Sequence, residues 1–178
     1  MGQIALMDPI LFLPLSLLPA LVIFAGLKDL TSMTIPNWIS ATLVVTFFPV
    51  ALLMGLPVMA VAAHLGVAMV ALCVTAGMFA LRWIGGGDAK LTAAACLWLG
   101  VSGSGMFLLW TGLMGGLFCL FLIFARFQAQ TALPAGAPGW VVRLMAPKGD
   151  IPYGVAIAAG ALMAWPASPL MSMYAAGV

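Results

Sequence analysis

The chain alternates long apolar runs with short polar connections, and this pattern predicts its structure. Each of six runs approaches the ~20 apolar residues that a helix needs to cross a bilayer. We predict six transmembrane helices at about residues 9–27, 38–54, 58–81, 88–101, 105–125 and 151–171. Kinks are expected where proline lies inside or beside a run, and neighbouring helices accommodate such kinks in membrane proteins. The prolines concerned are Pro14, Pro19, Pro49 and Pro166.

The basic residues divide the predicted connections into two groups. All of them lie in or beside the first, third and fifth connections: Lys28 in the first, Arg82 and Lys90 bracketing the third, and Arg126, Arg143 and Lys148 in the fifth. Cytoplasmic connections of membrane proteins carry an excess of Lys and Arg. We therefore predict that these three connections face the cytoplasm and that both chain ends lie on the opposite side.

The composition excludes a soluble globular protein. Of 178 residues, 65% are hydrophobic and 6% are charged, whereas soluble domains carry roughly 25% charged residues. We predict an all-α polytopic membrane protein with a single membrane-embedded domain over residues 1–178 and no nucleic-acid partner. The opening run "MGQIALMDPILFLPLSLLPALVIF" has no basic segment before it, so we expect a retained span rather than a cleaved signal peptide.

The longest connection, "RFQAQTALPAGAPGWVVRLMAPKGD", has a centre rich in Pro and Gly. Its segment "GWVVRLMAP" is apolar with one Arg and one Trp. Such a segment is typical of a short helix at the membrane interface. An ordinary connecting loop fits the pattern equally well, so both interpretations stay open.

The candidate chemistry depends on four aspartates, since the chain has no Glu. Asp29, Asp88 and Asp150 lie at predicted cytoplasmic helix ends, and Asp8 lies on the other side. Ionisable groups near the apolar zone are costly and usually functional. Two close carboxylates share a proton, which is what an aspartic protease requires. One takes a proton from water, while the other, protonated, polarises the scissile carbonyl.

Asp88 follows three glycines, Gly85, Gly86 and Gly87. Their lack of side chains lets a substrate strand approach the backbone beside the carboxylate. A glycine-rich helix start with Asp88 in its first turn, favoured by the helix dipole, is the simpler alternative.

Asp29 lies in "LKDLTSMTIPN", where Pro36 turns the chain and Asn37 is expected to cap the next helix. The alternative is an Asp29 paired with Lys28 in a loop at the level of the lipid headgroups. Asp150 lies in "KGDIPYG" and is most simply a solvated charge at a helix N-terminus.

The sequence does not indicate a metal or cofactor. Cys73, Cys96 and Cys119 are far apart in apolar runs without a CxxC pair, and we expect small core residues. His64 is alone in the third predicted span and is expected to be a hydrogen-bonded interior histidine.

The pieces "KDLTSMTIPN", "GGGDAKL" and "IPYGVAIAAG", in this order, resemble the type IV prepilin peptidases, which are polytopic GxGD aspartic proteases. By this resemblance Asp29 and Asp88 are the two catalytic aspartates. Pro152, Tyr153 and Gly154 match a motif that opens the last span and helps to shape the active site. Tyr153 is also suited to anchor at the interface. We expect Pro36, Asn37 and Gly85–Gly87 to shape the site, and Lys90 to act electrostatically on Asp88.

The resemblance is strongest to the short form that serves Flp/Tad-type pili. It implies removal of a short basic leader from prepilins or pseudopilins at the cytoplasmic face of the bacterial inner membrane. The substrate would bring an apolar N-terminal helix into the lipid beside the enzyme. Thr34 stands where family members often have a basic residue. Because nothing corresponds to the cysteine-bearing segment of the bifunctional members, we expect proteolysis without methylation.

Two other classes of protein remain as alternatives. A proton-coupled transporter typically has acids near the bilayer midplane and inverted repeats, whereas these acids cluster at one surface and no repeat is evident. A non-catalytic scaffold would pair Asp29 and Asp88 with Lys28 and Lys90. The pattern of acids favours the protease.

Overall fold

The computed structural model describes residues 9–132, 136–147 and 149–177, and these residues form helices without any β-strand. This confirms the all-α class. Asp8 and Lys148 lie outside the described residues. The elements in chain order are α1 (Pro9–Leu15), α2 (Leu17–Ser32), α3 (Asn37–Leu53), α4 (Val58–Ala80), α5 (Gly86–Ala132), α6 (Gly139–Leu144), α7 (Gly154–Ala164), a 3₁₀ turn (Trp165–Ala167) and α8 (Pro169–Ala176).

Four helical segments in the described part of the chain are long and apolar enough to cross a membrane. They are Phe12–Ser32, Val58–Ala80, Gly86–Ala129 and Gly154–Ala176. Helix α3 is equally apolar but shorter. Large apolar side chains cover the outside of the bundle, as expected where lipid is the solvent. The number of crossings and the side on which the ends lie stay predictions.

Helix α5 replaces the predicted fourth and fifth spans and the connection between them. Its one break is Gly100, with φ 63° and ψ −170°. Glycine tolerates this conformation because it has no Cβ. A Cβ built there would lie 2.7 Å from the His64 ring. The break therefore lies where the His64 ring of α4 packs against the backbone of α5, and the helix resumes directly afterwards.

His64 joins α4 to α5 next to this break. The ring is buried and its Nδ1 donates a 2.7 Å hydrogen bond to the Leu97 carbonyl oxygen. It also stacks on Phe47, with ring centroids 5.4 Å apart. The prediction of a hydrogen-bonded interior histidine is confirmed. One residue further along α5, the Trp98 indole donates to the Leu43 carbonyl at 2.8 Å and attaches α3 to α5.

The core lies around the first half of α5. Residues 91 and 94–99 of this helix are buried against apolar side chains of α2, α3 and α7. Of the cysteines, Cys96 is a core residue as expected, but Cys73 is exposed on α4 and Cys119 is only half-buried. The expectation was wrong for Cys73 because an apolar run does not distinguish its core face from its lipid face.

Only some of the prolines lie at a break between helices. Pro14 lies inside α1, just before the turn that separates α1 from α2, and Pro166 lies in the 3₁₀ turn between α7 and α8. Pro49 lies within α3, whose helix continues to Leu53. Proline removes one backbone donor, and only the first two of these positions coincide with a break between helices.

We predict that Gly100→Ala destabilises the protein. The backbone conformation alone costs a non-glycine residue about 1–3 kcal/mol, and the added methyl group also meets the His64 ring. The measurement is the free energy of unfolding in mixed micelles.

The control is Gly112→Ala, at a helical position of α5 where an added Cβ meets no atom within 4 Å. Ala is preferred to Gly in a helix by roughly 0.5–1 kcal/mol, so this variant should be neutral or slightly stabilised. Equal stability of the two variants would contradict the role given to Gly100.

Candidate active site

Asp29 lies in the last turn of α2 and not in the loop that the sequence suggested. The helix continues to Ser32, and within it Thr31 and Ser32 donate their hydroxyls to the carbonyl oxygens of Leu27 and Lys28, at 2.9 and 2.7 Å. It ends at Met33, whose φ of 56° is left-handed. The Asp29 side chain is only 6% exposed.

Gly154 holds the Asp29 carboxylate in place. Its backbone N–H, at the first residue of α7, donates to Asp29 Oδ2 at 2.8 Å. A Cβ on Gly154 would lie 2.9 Å from Asp29 Cβ, Asp29 Oδ2 and Ile35 Cδ1. The glycine of the Pro-Tyr-Gly piece therefore allows the backbone to reach the carboxylate.

Asp88 is the third residue of α5, and its Oδ2 accepts the Gly85 N–H at 3.0 Å. A carboxylate at this helix position commonly accepts the N–H of the residue before the helix. The simple interpretation of Asp88 as a helix-start charge is thus correct in part. The same side chain also lines the cavities described next, so the two interpretations do not exclude each other.

Two cavities meet at the aspartates. One has a volume of about 790 Å³ and extends to the start of α7, and the other has a volume of about 260 Å³. Both are lined by Asp29, Met33, Gly85 and Asp88. The smaller is completed by Thr34, Ile35, Gly86 and Gly87. An extended chain crossing from one cavity to the other would pass over both carboxylates.

Each aspartate has one carboxylate oxygen to which no described residue donates a hydrogen bond. No described residue donates a hydrogen bond to the Oδ1 atom of either side chain, and neither atom is sealed from solvent. Each Oδ2, by contrast, accepts one backbone N–H. The pair is therefore positioned through one oxygen and accessible through the other.

Neither aspartate has a lysine partner. Among the described residues, no ion pair joins Lys28 to Asp29 or Lys90 to Asp88. Lys90 Nζ instead donates to Asn37 Oδ1 at 3.0 Å. The residue before α3 is Pro36, without a side-chain capping bond. The expectation that Asn37 caps this helix was wrong, because its side chain bridges α3 to α5.

Pro152 and Tyr153 of the Pro-Tyr-Gly piece border the larger cavity, together with Asp150. The Tyr153 ring packs on Gly115 in the second half of α5, where an added Cβ would lie 2.8 Å from its hydroxyl oxygen. Burial raises the pKa of the Tyr153 phenol, and Cys119 and Asp88 act in the same direction. Tyr153 thus presents a neutral hydroxyl at the cavity. The Asp150 side chain is exposed.

Two arginines attach the long connection beside the cavity. Arg126 donates to the Leu144 and Asp150 carbonyl oxygens, at 2.9 and 2.8 Å. Arg143 donates to the Thr31 carbonyl oxygen at 3.1 Å. Arg143 belongs to the segment "GWVVRL", which forms the short helix α6 and not an irregular loop. The connection is thus held over the end of α2.

Sequence reasoning missed several side chains of the larger cavity, namely Met33, Arg82, Trp83, Ile84 and Cys119. Arg82 has a φ of 61°, a conformation for which its sequence gives no signal. Cys119 lies in an apolar run that looks uniform. Among the described residues, no three His, Cys, Asp or Glu side chains are grouped so as to hold a metal ion.

A buried carboxylate, Asp29, and a half-buried one, Asp88, open onto shared cavities in an all-helical bundle with an apolar exterior, an arrangement that suits a membrane-embedded hydrolase. The sequence model of the type IV leader peptidase family matches residues 16–135, which is most of the chain and includes Asp29 and Asp88. The chain belongs to this family. It is therefore a multi-pass membrane protein and a peptidase. No curated protein and no solved structure gave a significant match.

We predict that Gly154→Ala disturbs the Asp29 carboxylate. An added methyl group has no room between Asp29 and Ile35, and overpacking of this kind costs about 1–3 kcal/mol. Cleavage of a prepilin leader should fall about tenfold to a hundredfold, because a displacement of about 1 Å at a reacting group costs up to about 10²-fold in rate.

The matched control is Gly116→Ala, where an added Cβ meets no atom within 4 Å. It should cleave at the normal rate. If Gly154→Ala cleaved as fast as this control, the close approach of α7 to Asp29 would not matter for activity.

Proposed function

We propose that the chain is an aspartic endopeptidase that removes the short basic leader of Flp/Tad-type prepilins or pseudopilins at the cytoplasmic face of the bacterial inner membrane. Membership in the leader peptidase family supports a prepilin substrate in general. The observation that carries the aspartic mechanism is the meeting of Asp29 and Asp88 at shared cavities, where neither forms an ion pair with a described cation.

The proposed reaction uses the two carboxylates as a unit. One proton is shared between them, because two adjacent carboxylates do not both ionise easily. The unprotonated carboxylate takes a proton from water as the water oxygen attacks the scissile carbonyl carbon. The protonated carboxyl donates a hydrogen bond to the carbonyl oxygen. A proton then passes to the amide nitrogen, the C–N bond breaks, and the leader departs with a new carboxylate.

The cavities support an extended substrate at this site. Gly85–Gly87 have no side chains that would obstruct a peptide beside Asp88. The apolar helix of the substrate lies in the lipid next to the enzyme, and its leader reaches the aspartates from the bilayer surface. Pro152 and Tyr153 line the larger cavity and shape it.

The proposed topology places this end of the bundle in the cytoplasm. The end of α2 and the starts of α5 and α7 meet there, and Arg126 and Arg143 are attached beside them. Cytoplasmic ends of membrane helices are enriched in such basic residues. With α5 counted as two crossings on either side of Gly100 and α3 as one, the single domain crosses the membrane six times.

We predict that Asp29→Asn and Asp88→Asn each abolish cleavage. Loss of a positioned acid or base costs about 10²–10⁴-fold, and loss of the shared proton removes both roles at once. The measurement is leader removal from a co-expressed Flp-type prepilin, detected as a change in the mobility of the prepilin on a gel.

Both variants must accumulate in the membrane to the normal level for the comparison to hold. A scaffold would tolerate the two changes, and a transporter would lose flux rather than cleavage. Normal leader removal by either variant would contradict the aspartic mechanism.

We predict that Asp150→Asn retains cleavage. Asp150 lines the larger cavity, but its side chain is exposed and no described residue orients it. The same gel assay gives the measurement, with Asp29→Asn as the inactive reference. Complete loss of cleavage would reassign the catalytic pair to include Asp150.

A further inference from the structure

A groove of about 590 Å³ lies between α3 and α4, and the first half of α5 forms its floor. We propose that this α3–α4 groove binds the apolar helix of the substrate, an inference that rests on the proposed function. Its walls are Ala41, Val44 and Val45 on α3 and Leu65, Ala68 and Leu72 on α4. On each helix these positions are three or four residues apart or adjacent, which places them on one face.

The floor of the groove allows a helix to approach closely. Ala93 and Ala94 of α5 lie there with small side chains, and Ala41 and Ala68 lie in the walls. Helices in membranes associate through such small residues, because close backbone approach gives van der Waals contact that loosely fitting lipid does not. The shape and composition of the groove therefore suit an apolar helix.

Ser40 gives a second, independent reason for a helical occupant. This residue lines the groove and is only 6% exposed, yet its hydroxyl has no hydrogen-bond partner. An unsatisfied polar group is costly in an apolar environment. Serine hydroxyls bond across helices in membrane bundles. A lipid acyl chain has no polar atom to offer, whereas an incoming helix has side chains and carbonyl groups.

The groove leads towards the aspartates, which favours substrate over an unrelated occupant. Its polar end is the Lys90–Asn37 hydrogen bond, and Lys90 is two residues beyond Asp88 on the same helix. From Lys90 to Leu97 the floor is about 10 Å long, at 1.5 Å per residue. A substrate helix whose N-terminus lies at Lys90 delivers the extended residues that precede it, the leader and the scissile bond, to the smaller cavity beside Gly87.

A second apolar groove, of about 450 Å³, lies on the other face of α4 and serves as an internal comparison. It is lined by Ala63, Val70 and Val101, among others. The hydroxyls of Thr75 and Ser104 there already donate to carbonyl oxygens of Ala71 and Gly100, in their own helices, at 2.7 and 2.6 Å. The Thr92 hydroxyl of this groove has no hydrogen bond, but its oxygen, unlike that of Ser40, is not fully enclosed by the described residues.

The test places a photo-crosslinking amino acid, benzoylphenylalanine, at Val44 in the α3–α4 groove or at Val70 in the second groove. Both side chains are exposed to the surroundings of the bundle. The enzyme also carries Asp29→Asn, so that an intact prepilin stays bound, and is co-expressed with that prepilin. We expect an enzyme–prepilin product from position 44 and none from position 70.

Three results would overturn the proposal: a prepilin product from position 70 that equals or exceeds that from position 44, a product with the mass of two enzyme chains, or no protein product from position 44. In a separate culture of the same strain, leader removal by the enzyme without these changes reports on the proposed function. The crosslink reports on the groove, so either idea can fail while the other holds.

A smaller change, Ser40→Ala, tests the Ser40 contact because it removes only one oxygen atom from the groove. If the hydroxyl bonds to the bound substrate, Ser40→Ala should raise KM about threefold with kcat unchanged, as expected for a typical interhelical hydrogen bond. Ser104→Ala in the second groove is the control and should leave KM unchanged. An unchanged KM for Ser40→Ala would remove Ser40 from the proposed binding surface.

Discussion

Ile35 lies between two glycines, and the position of both aspartates depends on that contact. A Cβ added to Gly87 would lie 2.9 Å from the Cβ of Ile35, and a Cβ added to Gly154 would lie 2.9 Å from the Cδ1 of Ile35. Gly87 immediately precedes Asp88, and Gly154 donates to Asp29. One apolar side chain in the turn before α3 therefore brings the start of α5 and the start of α7 to the end of α2. The packing is tight because neither glycine has a Cβ.

The same arrangement explains how two carboxylates persist in an apolar bundle. Burial of an unpaired charge is very costly, and hydrogen bonds to the carboxylate reduce that cost. Here each aspartate accepts one backbone N–H, from Gly154 or Gly85, and neither is neutralised by a lysine in the described structure. A cation would hold both carboxylates ionised. Backbone donors fix their positions without holding both groups ionised, which is compatible with the shared proton of the proposed mechanism.

Much of the architecture follows from the sequence because a bilayer imposes a length on apolar runs. The third predicted span, 58–81, differs by one residue from α4, and the glycine-rich segment and the Pro-Tyr-Gly piece indeed lie around the aspartates. What the sequence could not indicate depends on tertiary contacts. Helix α5 breaks at Gly100, where the His64 ring packs against it. Asn37 accepts a hydrogen bond from Lys90 because α3 and α5 lie side by side. Met33 and Arg82 have positive φ, which their residue types do not predict.

The packing of α4 separates two regions of the molecule. The aspartates lie where α2, α5 and α7 pack closely through small residues; a Cβ on Gly26, one turn from Asp29, would lie 3.1 Å from Ala158. Helix α4 packs chiefly against α5 alone, and grooves remain on both of its faces. Close packing fixes the geometry that catalysis needs, while an open helix face gives lipid or another helix access. Since α5 belongs to both regions, a helix bound along its first half would be aligned with the carboxylate at its start.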